Sequence, residues 1–188
     1  MDVRPTAIPD VVVVAPDVFG DARGFFFESF NRRRLEAALG RPLDFVQDNH
    51  SRSARGVLRG LHYQLPHAQA KLVRVVAGEV FDVAVDLRRG SPTLGRWVGE
   101  VLSDENRKQL WIPEGFAHGF LVVSDAAEFL YKTTDYWSKE DERCIRWDDP
   151  QLAVAWPGTG APPVVSAKDA AGLPFRDAPL FDLPGARS

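Results

Sequence analysis

The chain has a single cysteine, Cys144, and no apolar stretch long enough to cross a bilayer. One thiol excludes an internal disulfide and any cysteine-based metal cluster, and it fits a reducing compartment. The opening segment has no basic region, and its apolar run Val11–Ala15 is far too short for a signal core or a span. A cytoplasmic protein with no membrane partner is therefore expected. Charge of one sign is also scarce: 23 Lys+Arg stand against 26 Asp+Glu, a net charge of −3. That balance argues against a general nucleic-acid binder, which needs a broad basic face. It leaves room for a small basic pocket. Internal repeats, low-complexity tracts and interior linkers are absent too. Asn49-His50-Ser51 matches a glycosylation sequon, which carries no weight without secretion.

What is present is ordinary globular material. The 188 residues are 45% hydrophobic and 26% charged, enough for one domain with a substantial core. One helix is expected over Arg32–Gly40, where Leu35, Ala38 and Leu39 form a stripe and Gly40 and Pro42 end it. Most of the rest reads as strand: Val57–Leu65, Lys71–Val76, Glu79–Leu87, Arg96–Leu102, Gly119–Val123 and Glu128–Thr133. Turn-formers separate them, such as Ala77-Gly78, Arg89-Gly90-Ser91-Pro92 and Pro113-Glu114-Gly115. Short strands at this spacing predict an all-β antiparallel sandwich or barrel. The Pro/Gly/Ala-rich tail is expected to be irregular from about residue 170, with Ser166–Asp169 packed down and the last ten or so residues loose.

The polar residues that interrupt apolar strands are the candidates for chemistry. In Arg59-Gly60-Leu61-His62-Tyr63-Gln64, alternation puts His62 and Gln64 on one face. Arg59 falls on the other face of a flat strand unless Gly60 marks a bulge. Lys71 opens a valine-rich strand and shares a face with Val73 and Val75. Such a lysine either snorkels at an edge or points into a cavity. His118 lies in a Pro/Gly-bounded turn entering a strand. Tyr131 shares a face with Phe129 and Thr133; alone, it reads as a core tyrosine with a satisfied hydroxyl. A metal site is not expected. His62 and His118 are the plausible ligands, with His50 expected in a loop and His67 beside Pro66, and two scattered histidines make a weak site.

Taken in order, these segments resemble the dTDP-4-dehydrorhamnose 3,5-epimerase family, the sugar-nucleotide epimerase branch of the cupins. The resemblance runs from about Asp21 to Asp169. It is carried by Asp21-Ala22-Arg23-Gly24-Phe25-Phe26-Phe27-Glu28, Gln47-Asp48-Asn49-His50-Ser51, Gly56-Val57-Leu58-Arg59-Gly60-Leu61-His62-Tyr63-Gln64 and Lys71-Leu72-Val73. Then come Asp82-Val83-Ala84-Val85-Asp86-Leu87-Arg88, Trp111-Ile112-Pro113, Gly115-Phe116-Ala117-His118-Gly119-Phe120, Tyr131-Lys132 and Ser166-Ala167-Lys168-Asp169.

The resemblance implies a single cupin-type jelly-roll domain with a few short helices. It implies a homodimer sharing an N-terminal strand, no cofactor and no metal. It implies His62 as general base paired with Asp169, Tyr131 as general acid and Lys71 near the keto oxygen. Arg23, Glu28, Gln47, Asn49, Arg59, His118, Glu142 and Lys168 match positions lining the nucleotide-sugar site. Trp137 matches an aromatic ring that stacks on thymine. Glu140, Asp141 and Glu142 are adjacent acids, so the match at Glu142 is the least anchored.

The implied reaction converts dTDP-4-dehydro-6-deoxy-D-glucose to dTDP-4-dehydro-L-rhamnose, for L-rhamnose and cell-surface polysaccharide synthesis. It suits these side chains. A C4 ketone acidifies the hydrogens at C3 and C5; removal of one leaves an enolate on O4, and a proton returned to the opposite face inverts the centre. The steps need a base near neutral pKa, an acid across the ring and a cation at O4. An imidazole, a phenol and an ammonium supply these. Three rivals stay open: a mono-epimerase acting at C3 or C5 alone, a non-catalytic sugar-nucleotide-binding cupin, and a metal-dependent cupin oxygenase.

Overall fold

The computed structural model describes residues 1–182. Two antiparallel sheets pack face to face. The first runs, edge to edge, β1 (Asp2–Pro5), β2 (Val12–Ala15), β11 (Gln109–Ile112), β7 (Lys71–Ala77), β13 (Ala126–Thr133) and β5 (Gln47–Ala54). The second runs β10 (Trp97–Ser103), β8 (Glu79–Asp86), β12 (Phe116–Val122), β6 (Leu58–Gln64) and β14 (Glu142–Cys144). Sequence neighbours such as β7 and β8 lie in different sheets, which is the crossing-over of a jelly roll. Outside the sandwich are a hairpin of β3 (Phe19–Asp21) and β4 (Gly24–Phe26), and a parallel pair of β9 (Arg88–Arg89) and β15 (Phe181–Asp182).

Between the sheets, Val73, Val75, Phe129 and Ile112 of the first meet Val80, Ala84, Leu102 and Phe120 of the second. The second sheet is also covered on its outer face, where Leu61, Tyr63, Val83, Val85 and Ala117 pack under Leu152, Phe175 and Ala178. Burial on both faces explains why β12 is apolar without alternation: every residue in it is buried. On the outer face of the first sheet, Val12, Val14, Leu72 and Trp111 are covered by Leu35 and Leu43. Leu35 belongs to α1 (Arg32–Leu39), which Asn31 caps at the start and Gly40, at φ 66°, ends. The helix expected from sequence is thus in place.

The six expected strands are present with small changes of boundary, but several others are not strand-like in sequence. β5 reads Gln-Asp-Asn-His-Ser-Arg-Ser-Ala, so His50 lies in a strand rather than the expected loop. β12 begins at Phe116, which places His118 inside it rather than in the turn before it. Part of the tail expected to be loose is packed: the hydroxyl of Tyr63 donates to the carbonyl of Pro179, and Phe181 pairs with Arg88. The remainder of that stretch, 183–188, lies outside the described residues.

Candidate active site

Strand β6 carries the first device. In its pairing with β12, His62 lies opposite His118 and Arg59 lies opposite Phe120. Three steps along β6 therefore match two along β12, which is a one-residue bulge. Gly60, at φ 127°, sits in it against Gly119; a Cβ on Gly60 would lie 2.6 Å from the Gly119 Cα. The bulge turns Arg59 to the face of His62, and both line one cavity. Arg59 Nε reaches across to the facing sheet and donates to Ser53 Oγ at 3.0 Å.

That cavity, about 290 Å³, opens between the two sheets. His62, Arg59 and His118 come from the second sheet. Lys71, Tyr131, Phe129, Asn49 and Ser51 come from the first. His62 and Tyr131 thus stand on opposed walls. Glu142 and Lys168 close one end, joined by a 2.9 Å ion pair, so Glu142 is the one of the three adjacent acids that lines the cavity.

His62 Nε2 is 2.6 Å from Asp169 Oδ1. Asp169 lies in α2 (Ala167–Ala170), whose N-cap is Ser166, and it is buried. Burial alone pushes its carboxyl upward, but hydrogen bonds from His62 and the Gly60 backbone outweigh this and hold it below the usual range. It is therefore ionised, fixes a proton on His62 Nε2 and leaves Nδ1 as the basic nitrogen.

Lys71 is 8% exposed, and burial pushes its ammonium down to about 8, against the pull of Asp82 and Glu142. It remains cationic at neutral pH. Tyr131 is shifted upward by burial and by the Glu142 charge, so its phenol stays protonated. His118 Nε2 is 2.8 Å from Asp82 Oδ1, and burial lowers the imidazole's affinity for a second proton. Phe129 stacks on its ring at 5.9 Å.

A second hollow adjoins the first and shares Glu142 and Lys168 with it; Trp137, Lys139, Arg143 and Cys144 also line it. Trp137 is 54% exposed on a turn held by two glutamines. Gln47 Oε1 accepts from the Trp137 N–H, while Gln64 binds the Tyr136 carbonyl and the Ser138 N–H. Gln47 also donates to Asn49.

Two candidates lie elsewhere. Arg23 sits in the β3–β4 hairpin paired with Asp21, and Glu28 binds Asn31 and Arg34 beside a separate hollow of about 320 Å³. A single chain does not bring either to the cavity. Conversely, sequence reasoning passed over His50, Ser51, Phe120 and Phe129, which line it, and the buried Asp82 behind His118.

A jelly roll holding a carboxylate-paired imidazole, a protonated phenol and a buried ammonium around one cavity defines a cupin-type isomerase of the proton-transfer kind. Comparison with known proteins agrees. The family model for dTDP-4-dehydrorhamnose 3,5-epimerase matches residues 5–177, and the chain belongs to that family. A dTDP-4-dehydrorhamnose 3,5-epimerase of Pseudomonas aeruginosa is 67% identical over 175 residues, covering 93% of this chain and 96% of the relative. That of Shigella flexneri is 60% identical over 182 residues, covering 96% and 99%. The crystal structure of the Legionella pneumophila enzyme in complex with dTDP-4-keto-L-rhamnose superposes with a TM-score of 0.94 at 52% identity, covering 97% of this chain and 98% of that one. A 3'-monoepimerase from Streptomyces bikiniensis, in complex with dTDP-quinovose, gives a TM-score of 0.85 at 32% identity, covering 92% and 87%.

Proposed function

We propose that this chain converts dTDP-4-dehydro-6-deoxy-D-glucose to dTDP-4-dehydro-L-rhamnose, with His62 as base and Tyr131 as acid. The observation that carries the reading is the placement of these two side chains on opposed walls of one sugar-sized cavity. His62 Nδ1 takes the hydrogen from C5 or C3, and the electron pair moves onto O4. Lys71 stabilises that oxyanion in a water-poor site, an effect of several kcal/mol in comparable cases. Tyr131 returns a proton from the other face, and the centre inverts. Asp169 holds the tautomer of His62 and stabilises the imidazolium formed in each cycle.

The sugar occupies the smaller cavity. The nucleotide runs into the adjoining hollow, where Trp137 offers a face for thymine, while Lys168, shared by both, and Arg59 of the first cavity offer charge to the diphosphate. Gln47, Asn49 and His118 order the walls. Arg23 and Glu28 act across a homodimer: the β3–β4 hairpin exposes Phe19, Phe25 and Phe26 and carries Arg23 outward toward a second copy's site. The work is done in the cytoplasm, where a lone thiol stays reduced.

Incubation with the substrate in deuterated water, followed by NMR of the product, tests this. Deuterium at both C3 and C5 of an L-sugar is the expected result. Label at one centre alone replaces the reading with mono-epimerisation, and no exchange at all leaves a binding protein.

A further inference from the structure

Cys144 takes no part in the chemistry above, yet it lies against its centre. It sits in β14, where its Cα is the cross-strand partner of His62. One ligand atom each from His62, Cys144 and Asp169 lie within 4.8 Å of one another, among elements β6, β14 and α2. We propose that these three residues form an inhibitory site for a thiophilic divalent cation such as Zn2+ or Cd2+.

The donor set is that of a three-ligand tetrahedral zinc site with an open fourth position. Its bond lengths of about 2.3 Å to sulfur and about 2.0–2.2 Å to nitrogen and oxygen put ligand atoms roughly 3–4 Å apart. His62 and Asp169, now at 2.6 Å, open slightly, and the sulfur moves inward. The fourth position takes water from the cavity. Entry is through the adjoining hollow, which Cys144 lines. Charge also closes: a dication meets one thiolate and one carboxylate, and nothing net is left buried. Imidazole and thiolate favour zinc and cadmium over magnesium, which takes oxygen ligands.

Binding removes the base by a tautomer change. Coordination through Nε2 displaces the proton that Nε2 donates to Asp169. That proton moves to Nδ1, while the thiol proton of Cys144 leaves to solvent. Nδ1 then has no lone pair for the substrate hydrogen. This loss of turnover rests on the reading of His62 as base; the binding does not.

Cd2+ titration of the whole protein, followed by the ultraviolet thiolate-to-metal charge-transfer band, is expected to saturate at one ion per chain. In parallel, Zn2+ should suppress turnover, whereas Mg2+ should not. Cys144→Ser, with Cys144→Ala as a second variant, should lose the band and, measured against each variant's own metal-free turnover, need about tenfold or more Zn2+ for the same fractional inhibition, equivalent to about 1.4 kcal/mol of binding. A missing band, or variants as sensitive as the parent, overturns the site. A normal band with unaffected turnover overturns the inhibition.

Discussion

Asp82 sits directly behind His118, accepting a 2.8 Å hydrogen bond from its Nε2 with no exposed surface of its own. Its second oxygen has no hydrogen-bond partner among the described residues. Burial pushes the Asp82 carboxyl upward, and its neighbours His118, which hydrogen-bonds to it, and Lys71 resist that shift. A buried carboxylate of this kind is costly unless it does something for its neighbours. Here it orients one ring of the cavity wall and helps Lys71 keep its proton.

Asp82→Asn is therefore expected to lower the pH at which Lys71 loses its charge. The wild-type alkaline limb of kcat is expected near pH 8, to which burial lowers the Lys71 ammonium. In the variant the limb moves to lower pH, and the loss is greater at pH 8 than at pH 6.5. Glu142, which also supports the Lys71 charge, remains, so the limb shifts rather than vanishes. A pH–rate profile of both proteins checks this; a uniform loss at every pH would assign Asp82 to folding alone.

Lys71 itself trades stability for function. Its ammonium titrates at about 8 in the fold against an ordinary 10.5. The unfolded chain thus binds the extra proton between those values. The penalty is full below about pH 8 and is lost as pH rises to 10.5, so wild-type stability increases across that window. Lys71→Met is expected to raise stability at pH 7 by about 3 kcal/mol at most, while turnover collapses. Urea unfolding at pH 7 and pH 10 checks the first, since the gap between the two proteins should shrink at the higher pH.

Tyr131→Phe is expected to keep exchange of the substrate hydrogens and lose most inversion, since abstraction remains but return to the far face does not. Proton and deuterium NMR of the recovered sugar separates the two. Unchanged yield of the inverted sugar would assign the acid elsewhere.

His62→Ala should abolish exchange as well as inversion, with a loss of roughly 10²–10⁴-fold, the usual worth of a general base. Asp169→Asn should lower kcat with little change in KM, because the amide no longer fixes the imidazole tautomer. Steady-state kinetics distinguishes them from defects in binding.

The sandwich and most of its site were legible in the sequence where polar residues broke an apolar run. His62, Lys71 and Tyr131 stand out for that reason, and the Gly60 bulge was the one geometry that brings Arg59 to their side. Strand β5 was hidden by the opposite circumstance. Asn49 and Ser51 point inward, but toward a polar cavity rather than the core, so no apolar alternation marks the strand. His118 was placed one turn early because Gly115 and Gly119 read as turn residues; Gly119 is needed instead for close contact with Arg59 and Gly60. Asp82 gave no signal, since a single acid in a valine-rich strand looks the same whether it supports a neighbour or faces water. The hairpin carrying Arg23 lies away from the cavity, and nothing in its local sequence marks that separation.

The contact between Gly60 and Gly119 also bears on engineering. Two strands there touch main chain to main chain, with no room for a first carbon on either side. Libraries seeking a new sugar preference should hold both positions constant and diversify Asn49 and Ser51 instead. Those side chains line the cavity from an edge strand, where a change of size displaces solvent before it displaces scaffold.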